Sequence, residues 1–276
     1  MLDCPQYFRR TIRFHVRRQV ARWQAITGNR RDQPALAFYR NIRNSGFDAD
    51  TWIDILPRQK LIYVSVPKAA STTIRSVLSQ FETHAAPPDE RVLYKRRCSG
   101  LLSPSLAGLD VFHEMASSAD TLRFTFVRNP YARLVSAWSN KFAGKPLRRG
   151  DPYVDLYLDN TPQPRQARPI QSLSFSAFVH FVRETIDESV DPHWDRQVAR
   201  ASVPGIKLDL VGRVETFESD FATVLQHACK SSIELPRLNG SGSSDWPPYY
   251  SAELADIVYR LYEQEFDAFR YSRRVP

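Results

Sequence analysis

Cysteine is scarce in this sequence: Cys4, Cys98 and Cys229 are the three in 276 residues, far apart and without paired spacing. That pattern excludes a disulfide framework and a thiolate zinc site as organising features, and it makes a reducing compartment the simpler expectation. No run of 18 or more apolar residues occurs, and the first residues lack the apolar core of a secretory signal. The expectation from these absences is a cytosolic protein, or one whose anchor is missing from the sequence. The nucleotide loop G-x-x-x-x-G-K-[ST] is absent as well, which weakens a phosphate-transferring kinase. Nothing resembles a nucleic-acid-binding motif, so no nucleic acid is expected as partner.

Acidic residues are the minority charge, 30 Asp and Glu against 38 Lys and Arg, giving a net charge of +8 and a pI near 9.5. Such a balance points to an acidic partner: a nucleotide, a sulfated or carboxylated glycan, or an anionic surface. A 42% hydrophobic, 12% aromatic and 25% charged composition is that of a globular chain. Its length suits one large α/β domain, or a core domain with an appendage. We divide it into an N-terminal helical extension, residues 1–57, and a main domain, residues 58–276.

Within the extension, Phe8, Ile12, Val16, Val20, Trp23 and Ile26 recur at helical spacing between arginines, predicting a basic amphipathic helix over residues 6–27. It packs on its own domain or lies on an anionic membrane. A looser region runs on to Pro57. Lys60 to Val66 then reads as a buried strand, and Ile74, Val77, Leu78 and Phe81 mark a helix from Thr72. The same grammar returns at Leu122, where LRFTFV is a strand, Arg128 and Asn129 a turn, and Pro130 the first position of a helix to about Phe142. Two strand-loop-helix units predict an α/β, P-loop-like three-layer fold, with a central parallel sheet flanked by helices and ligands at the strands' carboxyl ends. Residues 144–171 read as a long surface loop, 175–185 as a helix, 208–211 as a strand, and 216–229 and 251–266 as helices.

Two loops carry chemistry. After the first strand, Lys68, Ala69, Ala70, Ser71, Thr72 and Thr73 combine small side chains, hydroxyls and an ammonium at a helix N-terminus. This is a cradle for a phosphate or sulfate; the plainer alternative is a strand exit with a helix cap. The second strand ends in Arg128, where a metal-dependent phosphoryl transferase commonly places an acid. Arg128 can fork onto a phosphate, and Ser136, two turns into the helix, can add a hydroxyl. Arg133 shares the face of Ser136 but reads as a solvated helix residue. Two anion sites on neighbouring units suggest one ligand with two phosphate-like ends, the form of 3′-phosphoadenosine 5′-phosphosulfate (PAPS).

At this point the chain resembles the PAPS-dependent carbohydrate sulfotransferases, the group with chondroitin, dermatan and HNK-1 sulfotransferases. IYVSVPKAASTTIRSVL looks like that family's phosphosulfate loop and FTFVRNPYARLVSAWSNKF like its ribose-phosphate motif. FSAFVHFV, DPHWDRQ, LDLVGRVETFESDFATVL and YYSAELADIVYRLYEQEFDAFRYS follow in the family's order, so the likeness spans roughly residues 61–271. It implies that residues 68–73 surround the phosphosulfate, that Arg128 and Ser136 hold the ribose phosphate, and that no metal takes part. Two departures stand out: Ala-Ser replaces the Ala-Cys of many animal members, and the cysteine pair that often follows the His-Trp block is missing. Animal members are anchored in the Golgi by an N-terminal membrane helix that is not seen here, so the resemblance implies a bacterial, cytoplasmic member, with the membrane face as a further option and the Golgi lumen as the alternative if an anchor was removed; the animal substrates are not transferred.

The implied reaction is in-line sulfuryl transfer to a hydroxyl of a carbohydrate acceptor, with Lys68 stabilising charge. A base must take the acceptor's proton. His113 or the adjacent Glu114, ahead of the second strand, and His193 in DPHW are the candidates, while His180 inside an amphipathic helix reads as structural. Lys145, Arg148, Arg149, Arg165 and Arg168 suggest an acidic glycan, or are simply solvated. Two alternatives stay open: a P-loop kinase or nucleotidase, and a non-catalytic basic module binding an anionic surface.

Overall fold

A computed structural model describes residues 34–83, 93, 99–160, 172–188, 191–229 and 245–275. The basic amphipathic helix expected at 6–27 lies outside them. Two compact units divide the chain: one takes the described residues of Met1–Val66, Ala70–Phe126 and Arg200–Pro236, the other Pro67–Ala69, Val127–Ala199 and Arg237–Pro276.

The first unit is built on a sheet of order β1-β2-β3-β4, with β1 Ile53–Leu56, β2 Leu61–Val64, β3 Leu122–Val127 and β4 Leu210–Arg213. All four residues of β2 are buried, as a β-branched and aromatic run with apolar contacts on both faces requires. It pairs in parallel with β3, Leu61 opposite Leu122 through Val64 opposite Thr125. The Thr125 hydroxyl donates to the Val64 carbonyl at 2.7 Å. A parallel pair needs a crossover, supplied by helices α3 Ser71–Thr83, α4 Pro104–Ala107 and α5 Leu109–Ser117. On β2's other side β1 runs antiparallel, Ile53 opposite Val64, so the sheet is mixed where the sequence predicted a parallel one. The region read as loose up to Pro57 in fact contains α1 Pro34–Asn44, α2 Ala49–Trp52 and β1. The division proposed at residue 57 falls in the turn that joins β1 to β2.

The α/β expectation, strands in a sheet flanked by helices, holds. Ile42, Ile53, Ile55, Ile62, Val64 and Phe112 are fully buried in one cluster. A second is aromatic: Phe124 and Phe126 of β3 meet Phe221 of α10 Phe217–His227, with Phe217 stacked on Phe221. Gly212 of β4 is needed here, because a Cβ at that position would stand 2.6 Å from the Phe126 ring.

In the second unit, helices α6 Pro130–Lys141, α8 Phe175–Thr185 and α11 Ala252–Ala268 enclose a core that includes Phe142, Phe178, Trp194, Val258 and Tyr262. Burying each of these large side chains contributes about 1.5–3 kcal/mol. The bounds of α8 match those read from its apolar spacing, and Leu254, Val258 and Tyr262 form the buried stripe of α11. Residues 144–171 are not all loop: α7 Pro152–Asp159 forms there, with the Asp151 carboxylate accepting from the amides of Tyr153 and Val154.

Candidate active site

The first loop is a turn at residues 67–70 between β2 and α3. Lys68 has φ +66° and Ala70 φ +59°, a left-handed conformation that costs a residue with a Cβ roughly 1–2 kcal/mol. Strain of this kind persists only where surrounding contacts impose it. Ala69 is fully buried, so no side chain larger than its methyl fits there without displacement. Ser71, Thr72 and Thr73 form the first turn of α3, half-buried, with the Ala70 carbonyl accepting from the Ile74 amide at 3.0 Å. Amides of a first helical turn point outward and favour an anion.

Lys68 lies in the second unit and is partly buried. Burial first, then the charges of Lys141, Arg128, Arg133 and Lys145, push its ammonium down to about 8. Positive charge is thus concentrated around Lys68, the kind of environment that perturbs titration at functional sites.

Arg128 follows the last residue of β3 and is 6% exposed. Its backbone is gripped from both sides by Gln197: the Arg128 amide donates to Gln197 Oε1 at 2.9 Å, and Gln197 Nε2 donates to the Arg128 carbonyl at 2.9 Å. Glu265 of α11 holds the glutamine in turn, accepting from Gln197 Nε2 at 2.7 Å and from its amide. Burial raises the Glu265 carboxyl against the opposing effect of Arg133. Next to Arg128, Asn129 caps α6 by accepting from the amides of Tyr131 and Ala132. Ser136 is buried two turns further along the same helix.

Arg133 is not solvated, as its position on the helix had suggested. It is 2% exposed and spends three N–H groups on backbone carbonyls: Nε on Pro67 at 3.0 Å, Nη1 on Asp195 at 2.8 Å and Nη2 on Pro192 at 3.1 Å. The planar guanidinium alone among side chains spreads donors widely enough for this.

His193 belongs to the same unit. Its Nδ1 and its backbone amide both meet Asp191 Oδ1 at 2.7 Å. Because a carboxylate only accepts, the proton sits on Nδ1 and the lone pair on Nε2. Burial lowers the imidazole from its ordinary 6.5; Asp191 opposes this, and Lys141 and Lys68 add to it. The Tyr153 ring stands edge-on to the imidazole at 5.7 Å, and its hydroxyl accepts from Lys141 Nζ at 2.6 Å. His113 lies in the first unit, on α5, with its ring 5.2 Å from that of Phe38, and Glu114 beside it is exposed. His180 is half-buried on α8.

The second unit thus brings Lys68 within electrostatic reach of Arg128 and of His193 and also contains Ser136, while residues 70–73 and His113 belong to the first. Sequence reasoning missed Asp191, Gln197, Glu265 and Lys141. Only Asp191 left a signal, since an Asp two residues before another group commonly bonds that group's amide. Of the loop cations, Lys145 donates to the Asn140 carbonyl, Arg149 pairs with Asp155 and Asp159, and Arg165 and Arg168 lie outside the described residues. Among the described residues no group of three or more His, Cys, Asp or Glu is arranged to hold a metal ion. No helix among them is long and apolar enough to cross a membrane.

Comparison with known proteins matches residues 52–272 to the sulfotransferase family. Carbohydrate sulfotransferase 12 of Mus musculus is 31% identical over 169 residues, covering 55% of this chain and 40% of that protein. Carbohydrate sulfotransferase 11 of the same species is 29% identical over 234 residues, covering 77% and 65%. Carbohydrate sulfotransferase 14 of Danio rerio is 24% identical over 60% of this chain and 45% of its own. The chain therefore spans roughly half of the length of the relatives it matches. No solved structure matches it. These relatives are vertebrate proteins, which overturns the expectation of a bacterial, cytoplasmic one. With the match running from β1 to just beyond α11 and taking in the loops that follow β2 and β3, the chain belongs to the sulfotransferase family.

Proposed function

We propose that this protein moves a sulfuryl group from PAPS to a hydroxyl of a carbohydrate acceptor. The relatives' names support the acceptor class. The observation that carries the reading is one cluster: Lys68, its ammonium brought down to about 8 by burial and by neighbouring cations, within electrostatic reach of an imidazole whose Nδ1 is bonded to Asp191.

In this reading Lys68 and the amides opening α3, with Ala69, Ala70, Ser71, Thr72 and Thr73, receive the phosphosulfate. Arg128 and Ser136 receive the ribose phosphate. The acceptor oxygen attacks sulfur as the bond from sulfur to the bridging phosphate oxygen breaks, and adenosine 3′,5′-bisphosphate leaves. His193 Nε2 takes the acceptor's proton, and Asp191 stabilises the imidazolium that results. Lys68 offsets the charge that builds on the bridging and sulfuryl oxygens. Both basic steps run on protein groups, so turnover is expected to persist in a chelator, which a magnesium-dependent kinase would not tolerate. The surplus of positive charge favours an acidic glycan as acceptor.

The test is calorimetry with adenosine 3′,5′-bisphosphate on the full chain, then turnover of His193→Ala and His113→Ala at saturating PAPS. Binding that disappears in Arg128→Ala supports the site. A loss of about 10²–10⁴ in kcat confined to His193→Ala assigns the base, whereas the same loss confined to His113→Ala moves it to α5.

A further inference from the structure

Arg133 stands outside the reading above, yet it touches both halves of it. Two of its three acceptors are the carbonyls of Pro67 and Pro192, the residues immediately before Lys68 and His193. Each of these carbonyls shares a rigid peptide plane with the following residue's amide, so fixing the oxygen fixes the plane from which the Lys68 or His193 side chain departs. The third acceptor, the Asp195 carbonyl, anchors the far end of the 191–197 segment. Lys68 needs such a hold, because its φ of +66° is one a side chain with a Cβ does not keep unaided.

We propose that Arg133 is a positioning residue: one buried guanidinium that holds the Lys68 turn and the His193 segment in a fixed mutual arrangement. The catalytic part of this claim rests on the sulfuryl-transfer reading. Its own helix supports it, for the Arg133 amide donates to Asn129, the residue that caps α6 next to Arg128. The base, the lysine and the ribose-phosphate arginine thereby share one short piece of backbone as their reference. A lysine in its place keeps the charge but brings its donors from a single nitrogen, and it cannot meet three carbonyls arranged around a planar fork.

The experiment compares Arg133→Lys and Arg133→Gln with the wild-type full chain by three readouts. For Arg133→Lys, kcat is expected to fall by about 10²-fold, the loss typical of an ångström-scale misplacement. Affinity for adenosine 3′,5′-bisphosphate should stay within about threefold, because Arg128 and Ser136 are untouched. The His193 imidazole, followed by NMR in the free protein, should titrate closer to its ordinary value as its segment loosens in the presence of Asp191, Lys141, Lys68 and Tyr153. A kcat within threefold of wild type overturns the proposal. So does an unchanged His193 titration, or variants in which melting and nucleotide binding collapse together, which would make Arg133 a determinant of folding alone. If wild type itself fails to bind the nucleotide, the sulfuryl-transfer reading fails, and the His193 titration still decides whether Arg133 positions the segment.

Discussion

Lys68 is the residue where structure and chemistry pull against each other. The fold buries its ammonium and surrounds it with cations, lowering it to about 8, so the charged form is disfavoured in the folded state. The folded chain then binds fewer protons than the unfolded one between about 8 and the ordinary 10.5, and stability rises with pH across that window. Lys68→Met removes the penalised charge: it should raise Tm by a few degrees at neutral pH while abolishing turnover, measured by thermal melting and a PAPS assay. A lower Tm would contradict the crowding. In the proposed reaction the same two groups set the pH profile. His193 must be neutral to act and lies below 6.5, while Lys68 must be charged and is half lost near 8. kcat/KM of the free enzyme is therefore expected to be bell-shaped, with its acid limb below 6.5 and its basic limb near 8. Lys68→Ala should lose about 10²–10³ in kcat.

At the scale of elements, α6 opens just after Arg128 and carries Arg133 and Ser136, and its start is a sequence signal: Asn129 caps and Pro130 occupies the first turn. Replacing the cap by Asn129→Ala should cost about 0.5–2 kcal/mol in denaturant unfolding and weaken nucleotide binding as Arg128 loosens. In the sheet, Gly212→Ala drives a methyl into the Phe126 ring and should destabilise by about 1–3 kcal/mol. These elements differ in how far they could be read in advance. β2, β3, α3, α6 and α8 were legible, because each combines a periodic apolar pattern with a stop or start residue. β1 was not, for IDIL is short and carries Asp54, a buried carboxylate that Arg75 of α3 meets at 2.7 Å. That pairing is not visible along the chain. Arg133 was misread for a related reason: helical spacing places a side chain on a face, but the carbonyls that make burial of a guanidinium tolerable come from residues 67, 192 and 195. Gln197 and Glu265 stayed hidden likewise, 68 residues apart in sequence and joined through a buried bond.

For the whole molecule, the net charge of +8 is a statement about association. The proposed anionic donor and acceptor would both be steered toward a positive field, and salt screens that field over about 8–10 Å at physiological ionic strength. Affinity for adenosine 3′,5′-bisphosphate should therefore fall as salt rises from 50 to roughly 300 mM, and Arg128→Ala should flatten that dependence, measured by calorimetry. An affinity insensitive to salt would contradict a site built from Lys68, Arg128 and Lys141. The central claim is transfer itself. Its most direct test is incubation of the full chain with radiolabelled PAPS, a chelator, and a panel of neutral, carboxylated and sulfated glycans. The predicted result is label in at least one glycan, lost when Lys68 is replaced by Ala. Label in no glycan, with binding of PAPS also absent, would contradict the account.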